Sequence, residues 1–353
     1  MNYKETLFFI GKCLSISHEE HNRKIVEQEI TSGKVDWDNV VKLSTKHYVF
    51  PALYCNLKRV NFLHYLPNDL VEYMQHITDL NRERNLQIIE QAKQVNELLL
   101  ANNITPIFLK GVGNLLEGLY EDIAERMVGD IDFIVSKNAY NKTIQLIKKN
   151  NYRKIDGFLS KEHRHYPKLV KKGKIAALEI HKELLIEKHT EEFNYEIVKK
   201  DLIILKNVTL LSFKNQLSLS IIAQQINDAG QQFNTIALRN SYDVFLLSKR
   251  TNSLNAILKF KKLFTPLNNF LAITEQCFSS DSITYMKSKE TENYLIMFTR
   301  LLENPSFSKK HHKKIAKKIL IKTRITILTR AIYDKKTRIW LVKRLLNGRK
   351  KLN

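Results

Sequence analysis

Two aspartates two residues apart, Asp130 and Asp132 in residues 129–132 (GDID), are the side chains of this sequence best placed to do chemistry. The run continues as Phe133, Ile134 and Val135 and alternates with period two, which predicts a strand. On a strand both carboxylates leave one face, while Ile131 and Phe133 leave the other. Paired carboxylates on a partly buried face repel each other unless a cation neutralises them. A divalent cation does so, and Mg²⁺ takes one or two carboxylates together with substrate phosphates. A third carboxylate, Glu179, stands in a later apolar run, residues 176–181 (AALEIH), and can join the same metal. His181 follows two residues on and shares its face. Upstream, residues 107–111 (IFLKG) precede helical periodicity over residues 112–120. A glycine at such a junction lets backbone N–H groups and the positive end of a helix approach a phosphate. Lys110 and Arg126 offer positive charge to the same phosphate. Glycine and helix, then D-x-D, then a lone carboxylate on a strand is the layout of two-metal nucleotidyl transfer.

The elements that must position these residues fall into three regions, with no internal repeat. Residues 1–102 read as helical: residues 37–49 carry apolar positions at helical spacing, and Pro67 opens a long pattern that Asn102 and Asn103 stop. Residues 103–213 change character, with strands predicted at 104–109, 129–135, 166–170, 174–184 and 208–213 and a helix at 138–150. Residues 214–353 return to helix at 216–226, 235–249 and 293–302 and end in a basic segment. The predicted fold class is α+β, a small mixed-sheet core flanked by N-terminal and C-terminal helical regions.

Residues 109–135 (LKGVGNLLEGLYEDIAERMVGDIDFIV) resemble the signature of an uncharacterised bacterial nucleotidyltransferase family within the DNA-polymerase-β-like superfamily. The features shared with that family are a strand ending at Leu109, Lys110 and Gly111, and a helix ending near Leu119 and Tyr120. Arg126 then stands four residues before Asp130-Ile131-Asp132, and the acidic-apolar-His strand carries Glu179, Ile180 and His181. The resemblance extends more loosely over residues 37–250. It implies metal-dependent transfer of a nucleoside monophosphate from a nucleoside triphosphate to a hydroxyl of a small molecule, peptide or protein, with release of pyrophosphate. Asp130, Asp132 and Glu179 would be the catalytic residues and the ligands of Mg²⁺ or Mn²⁺. Lys110, Gly111 and Arg126 would bind the nucleotide, with ATP first among the candidates, and His181 would line the acceptor site or support the metal ligands. The wider superfamily has Gly-Ser where this chain has Lys110-Gly111-Val112-Gly113; Lys110 can replace the missing hydroxyl as a point charge. The alternatives are transfer to an RNA end, or a non-catalytic module of the same fold that binds an anionic ligand.

Composition narrows the class further. The 353-residue chain is 43% hydrophobic, enough for a sizeable core. Its formal charge of +22 favours anionic partners. Cys13, Cys55 and Cys277 are scattered, without C-x-x-C spacing, which speaks for thiols in a reducing compartment. No secretory signal or membrane-spanning run is evident, so the expected location is cytoplasmic. His163 and His165 lack a partner at zinc spacing and read as a loop or as acceptor-pocket lining. His311 and His312 read as a solvated face, and Asp243 as a helix cap or an internal ion-pair partner. Residues 309–353 interleave many Lys and Arg with Ile, Leu and Trp around one acid, Asp334. That segment is amphipathic and suits RNA, an acidic peptide or an anionic membrane surface.

Overall fold

The computed structural model describes residues 1–155 and 164–346. His163 and the terminal cations Arg349, Lys350 and Lys351 lie outside the described residues. At the centre is a seven-stranded mixed sheet. Its strands are β1 (Ile107–Phe108), β2 (Asp130–Ile134), β3 (Arg153–Lys154), β4 (Leu169–Val170), β5 (Ala177–His181), β6 (Leu202–Leu205) and β7 (Val208–Leu211), ordered β3-β4-β5-β2-β1-β7-β6. β2 runs parallel to β5, and β1 is antiparallel to β2 and parallel to β7; β3–β4, β4–β5 and β6–β7 are antiparallel pairs. Helices fill the chain on either side of this block, so the α+β class with helical flanks holds.

The predicted elements are present, with shorter strands. The run 166–170 pairs as a ladder only at Leu169–Val170, and 174–184 only at Ala177–His181. β3 and β6 carry no alternation that could have announced them: β3 is two exposed residues, and β6 is the all-apolar LIIL on the sheet edge. The helix opened by Pro67 spans Asn68–Leu100. It ends where Asn103 adopts a left-handed backbone, φ 58°, a conformation that asparagine tolerates. The helix Lys110–Glu117 stops at Gly118, φ 80°, in the left-handed cap that glycine favours.

The two central strands are buried on both faces. Ile131, Phe133, Leu178 and Ile180 have no exposed surface on one side, while Asp132, Glu179 and His181 are buried on the other. Buried polar side chains fasten the helical regions to this block. The Asn85 amide donates to Arg126 O at 2.8 Å, and the Asn81 amide to Ala124 O at 2.7 Å. Gln91 donates to Ala176 O (2.8 Å) and accepts from Ala176 N (3.1 Å), as a neighbouring strand would. The helix Asn68–Leu100 therefore fixes the approach to β2 and the approach to β5 from two neighbouring stretches of its middle. Across the block, Glu125 accepts from Tyr242 Oη and Arg59 Nη2, each at 2.5 Å, and links all three regions.

Candidate active site

Asp132 and Glu179 are register partners on the parallel pair β2 and β5, so their carboxylates project side by side from the sheet. Asp130 lies opposite Ala177, one pleat nearer the strand start and more exposed. His181 stands one pleat further on, and its Nε2 is 2.8 Å from Asp132 Oδ1. The ligand atoms of Asp132, Glu179 and His181 all lie within 4.8 Å of one another. Among the described residues this is the group of three suited to hold a metal ion. Asp130 is not one of the three: its Oδ2 accepts from Lys168 Nζ at 2.6 Å.

Two lysines balance the carboxylates. Lys110 Nζ is 2.5 Å from Asp132 Oδ1, 3.4 Å from His181 Nε2 and 3.9 Å from Glu179 Oε2. Lys168 Nζ reaches Asp130 and also lies 3.3 Å from Glu179 Oε1. Each ammonium thus sits between two carboxylates, where positive charge is most stabilised. Burial alone would raise the Asp132 carboxyl, but Lys110 and His181 overcome it and hold Asp132 well below the usual range. Glu179 goes the other way: burial first, then the charge of Asp132, push it up to about 7. Burial, then Lys110, bring His181 down to about 4, so its imidazole is neutral and its orientation is fixed by Asp132. Two oxygen donors with one neutral imidazole fit a small divalent ion.

Lys110 has a left-handed backbone, φ 54°, at the turn from β1 into its helix. A lysine is rarely found there, and such strain concentrates at functional sites. The turn aims the side chain across β2 at Asp132. Gly111 serves packing as well as access. A Cβ at this position would meet Val128 Cγ2 at 3.0 Å and Arg126 Cζ at 3.4 Å.

Arg126 is placed differently from the sequence expectation of an open nucleotide contact. It is 6% exposed, and its guanidinium grips Asp243 with Nε at 2.9 Å from Oδ1 and Nη2 at 2.8 Å from Oδ2. Tyr120 Oη donates to the same carboxylate at 2.7 Å. Asp243 is therefore the internal ion-pair partner, one of the two roles its position suggested. Neither Glu121, Asp122 nor Glu125, nearer in sequence, holds Arg126.

Lys168 and Arg164 carry no sequence signal, whereas His165 reads from the sequence as a loop or acceptor-pocket residue. The segment from Arg164 to Lys168 runs beside β5, with Tyr166 N donating to Ile180 O at 2.8 Å and His165 bridging His181. It brings Arg164, His165 and Lys168 to the site. Burial lowers the pKa of Arg164, opposed by the charges of Asp228, Glu179 and Asp132. Arg239 is partly buried against the Tyr48 ring, 4.9 Å from its centroid. Its Nε has no hydrogen-bond partner among the described residues. Burial, then Arg126, pull its pKa down. An anion beside Arg239 would relieve both effects.

Comparison with known families completes the picture. A family described as uncharacterised nucleotidyltransferases matches residues 33–279, well over half of the chain. The chain belongs to that family. No curated protein and no solved structure matches it. The matched span of this chain contains the whole sheet, both carboxylate strands and Arg239, and stops before the helix Lys289–Glu303.

Proposed function

We propose that this chain transfers a nucleoside monophosphate from a nucleoside triphosphate to a hydroxyl acceptor and releases pyrophosphate. The observation that carries the reading is the opposed pair Asp132 and Glu179 on adjacent parallel strands, with Asp130 one pleat away and Lys110 turned onto them from a strained strand–helix junction. In the reaction the acceptor oxygen attacks the α-phosphorus, the bond from the α-phosphorus to its bridging oxygen breaks, and pyrophosphate leaves with that oxygen. A divalent ion, Mg²⁺ or Mn²⁺, held by Asp132 and Glu179 with His181 beside them, or with Asp130 once it is released from Lys168, would neutralise charge on the transferring phosphoryl group. Glu179 either shares in holding that ion or takes the acceptor's proton. His181 holds Asp132 in place by its hydrogen bond. Lys110, Arg164 and Arg239 supply positive charge for the triphosphate. Arg126, committed to Asp243, acts by positioning Gly111 and the turn before β2.

The test is calorimetric binding of the four nucleoside triphosphates, ATP first, with Mg²⁺ or Mn²⁺, to the native chain and to Asp130→Asn/Asp132→Asn. Binding that requires metal and is lost in the folded variant supports the reading. Metal-independent binding of equal strength in both proteins overturns it and favours a non-catalytic anion-binding module. Pyrophosphate release on addition of an RNA with a free 3′ hydroxyl, and not with small hydroxyl compounds, would identify the acceptor as an RNA end.

A further inference from the structure

The helix Pro305–Tyr333 runs for 29 residues without one buried side chain. It is docked at its beginning, where His312 Nε2 donates to Phe233 O at 3.0 Å and Arg300 lies over the Phe307 ring. His312 is thus a docking contact, where the sequence suggested a solvated face. Between Pro305 and Tyr333 stand nine Lys or Arg and no Asp or Glu.

The order of residues on this helix is more specific than its charge. Steps of four and three residues trace one stripe along an α-helix. The stripe through Lys310, Lys314 and Lys317 continues as Ile321, Ile325, Leu328 and Ile332. The three lysines are exposed. So are the four aliphatics, at 47%, 56%, 59% and 66%. Leu320 widens the apolar half, and Lys318, Lys322 and Arg324 flank it. The next helix, Lys335–Leu346, adds exposed Ile339 and Val342, three residues apart. One face is thus basic near the body of the molecule and aliphatic towards its far end.

We propose that this face binds the surface of an anionic membrane, with the lysines at the lipid phosphates and the aliphatic row in the headgroup–acyl boundary. Lys and Arg around an exposed Leu and Ile stripe are the composition of an interfacial helix. Attraction to an anionic leaflet acts over about 10 Å and is weakened by salt. No described helix is long and apolar enough to cross a membrane, so the contact is peripheral. RNA would satisfy the lysines and leave four aliphatic side chains in water; single-stranded RNA is held by aromatic stacking, which this stripe does not offer. A second copy of the chain would bring like charges together. The proposal does not depend on the nucleotide chemistry.

The experiment is flotation of the full chain with vesicles of phosphatidylcholine, alone or mixed with phosphatidylglycerol. The chain should float with the mixed vesicles and not with phosphatidylcholine alone. Ile321→Ser/Ile325→Ser/Leu328→Ser/Ile332→Ser and, separately, Lys310→Glu/Lys314→Glu/Lys317→Glu should each weaken binding roughly tenfold. All these positions are exposed, so unchanged circular dichroism and melting temperature should accompany the loss. No flotation of the native chain, or undiminished flotation of the serine variant, overturns the proposal. A lipid-free native chain that sediments as a dimer while the serine variant is monomeric also overturns it, in favour of a second copy. Tight binding of an RNA oligonucleotide that abolishes flotation and is unaffected by the serine changes overturns it in favour of RNA.

Discussion

The β2–β5 strand pair and the helix Pro305–Tyr333 are both rich in charge, and they use it in opposite ways. In the strand pair every carboxylate has a cation within 4 Å, and Asp132, Glu179 and His181 are buried. In the helix the lysines face solvent and no acid is interleaved with them. Burial makes the first set rigid, because moving one buried charge strands its partner. Exposure makes the second set tolerant, since an exposed side chain contributes little to the fold. The family match covers the first region and not the second.

Substitutions in and around these regions sharpen or break this contrast. Asp132→Asn should reduce transfer on the order of 10³-fold, about 4 kcal/mol of transition-state stabilisation, read as kcat/KM for pyrophosphate release. Activity near the native level would remove Asp132 from the chemistry. Asp243→Ala leaves the Arg126 guanidinium buried without its partner and should cost about 3–5 kcal/mol in urea unfolding. Replacing both members of the pair by hydrophobic residues should restore much of that loss. Gly111→Ala forces a Cβ against Val128 and the Arg126 guanidinium, and should cost about 1–3 kcal/mol, seen as a lower melting temperature. Smallest of all, Ile321→Ser, Ile325→Ser, Leu328→Ser and Ile332→Ser should each change the unfolding free energy by no more than about 0.5 kcal/mol. A larger loss would show that the stripe is covered by part of this chain.

The sequence made the core of the site legible because strands announce themselves locally. Asp130 and Asp132 are separated and followed by apolar residues, and Glu179 and His181 repeat the pattern, so face and neighbourhood followed from period two alone. What escaped depends on distance along the chain. Lys168 meets Asp130 across 38 residues, and Asp243 meets Arg126 across 117. Nothing near Arg126 marks a partner so remote, while three closer acids offered themselves. Arg164 was invisible for the same reason, since only the paired segment beside β5 brings it in. The apolar stripe at residues 321–332 was legible as amphipathic, but its exposure was not, because periodicity describes a face and not what lies against it.

The helix Asn68–Leu100 grips the chain just before β2 through Asn81 and Asn85, and just before β5 through Gln91. Those grips are six residues apart at their closest, and adding one residue between Asn85 and Gln91 would turn one end by about 100° and lengthen the rod by about 1.5 Å. Asp132 and Glu179 would then no longer arrive at the same height. The stretch works as a gauge: its side chains facing solvent are free to vary, whereas its length is not. Relatives that keep the chemistry are expected to carry their insertions in the loops before Pro67 or after Leu100, and none between Asn81 and Gln91.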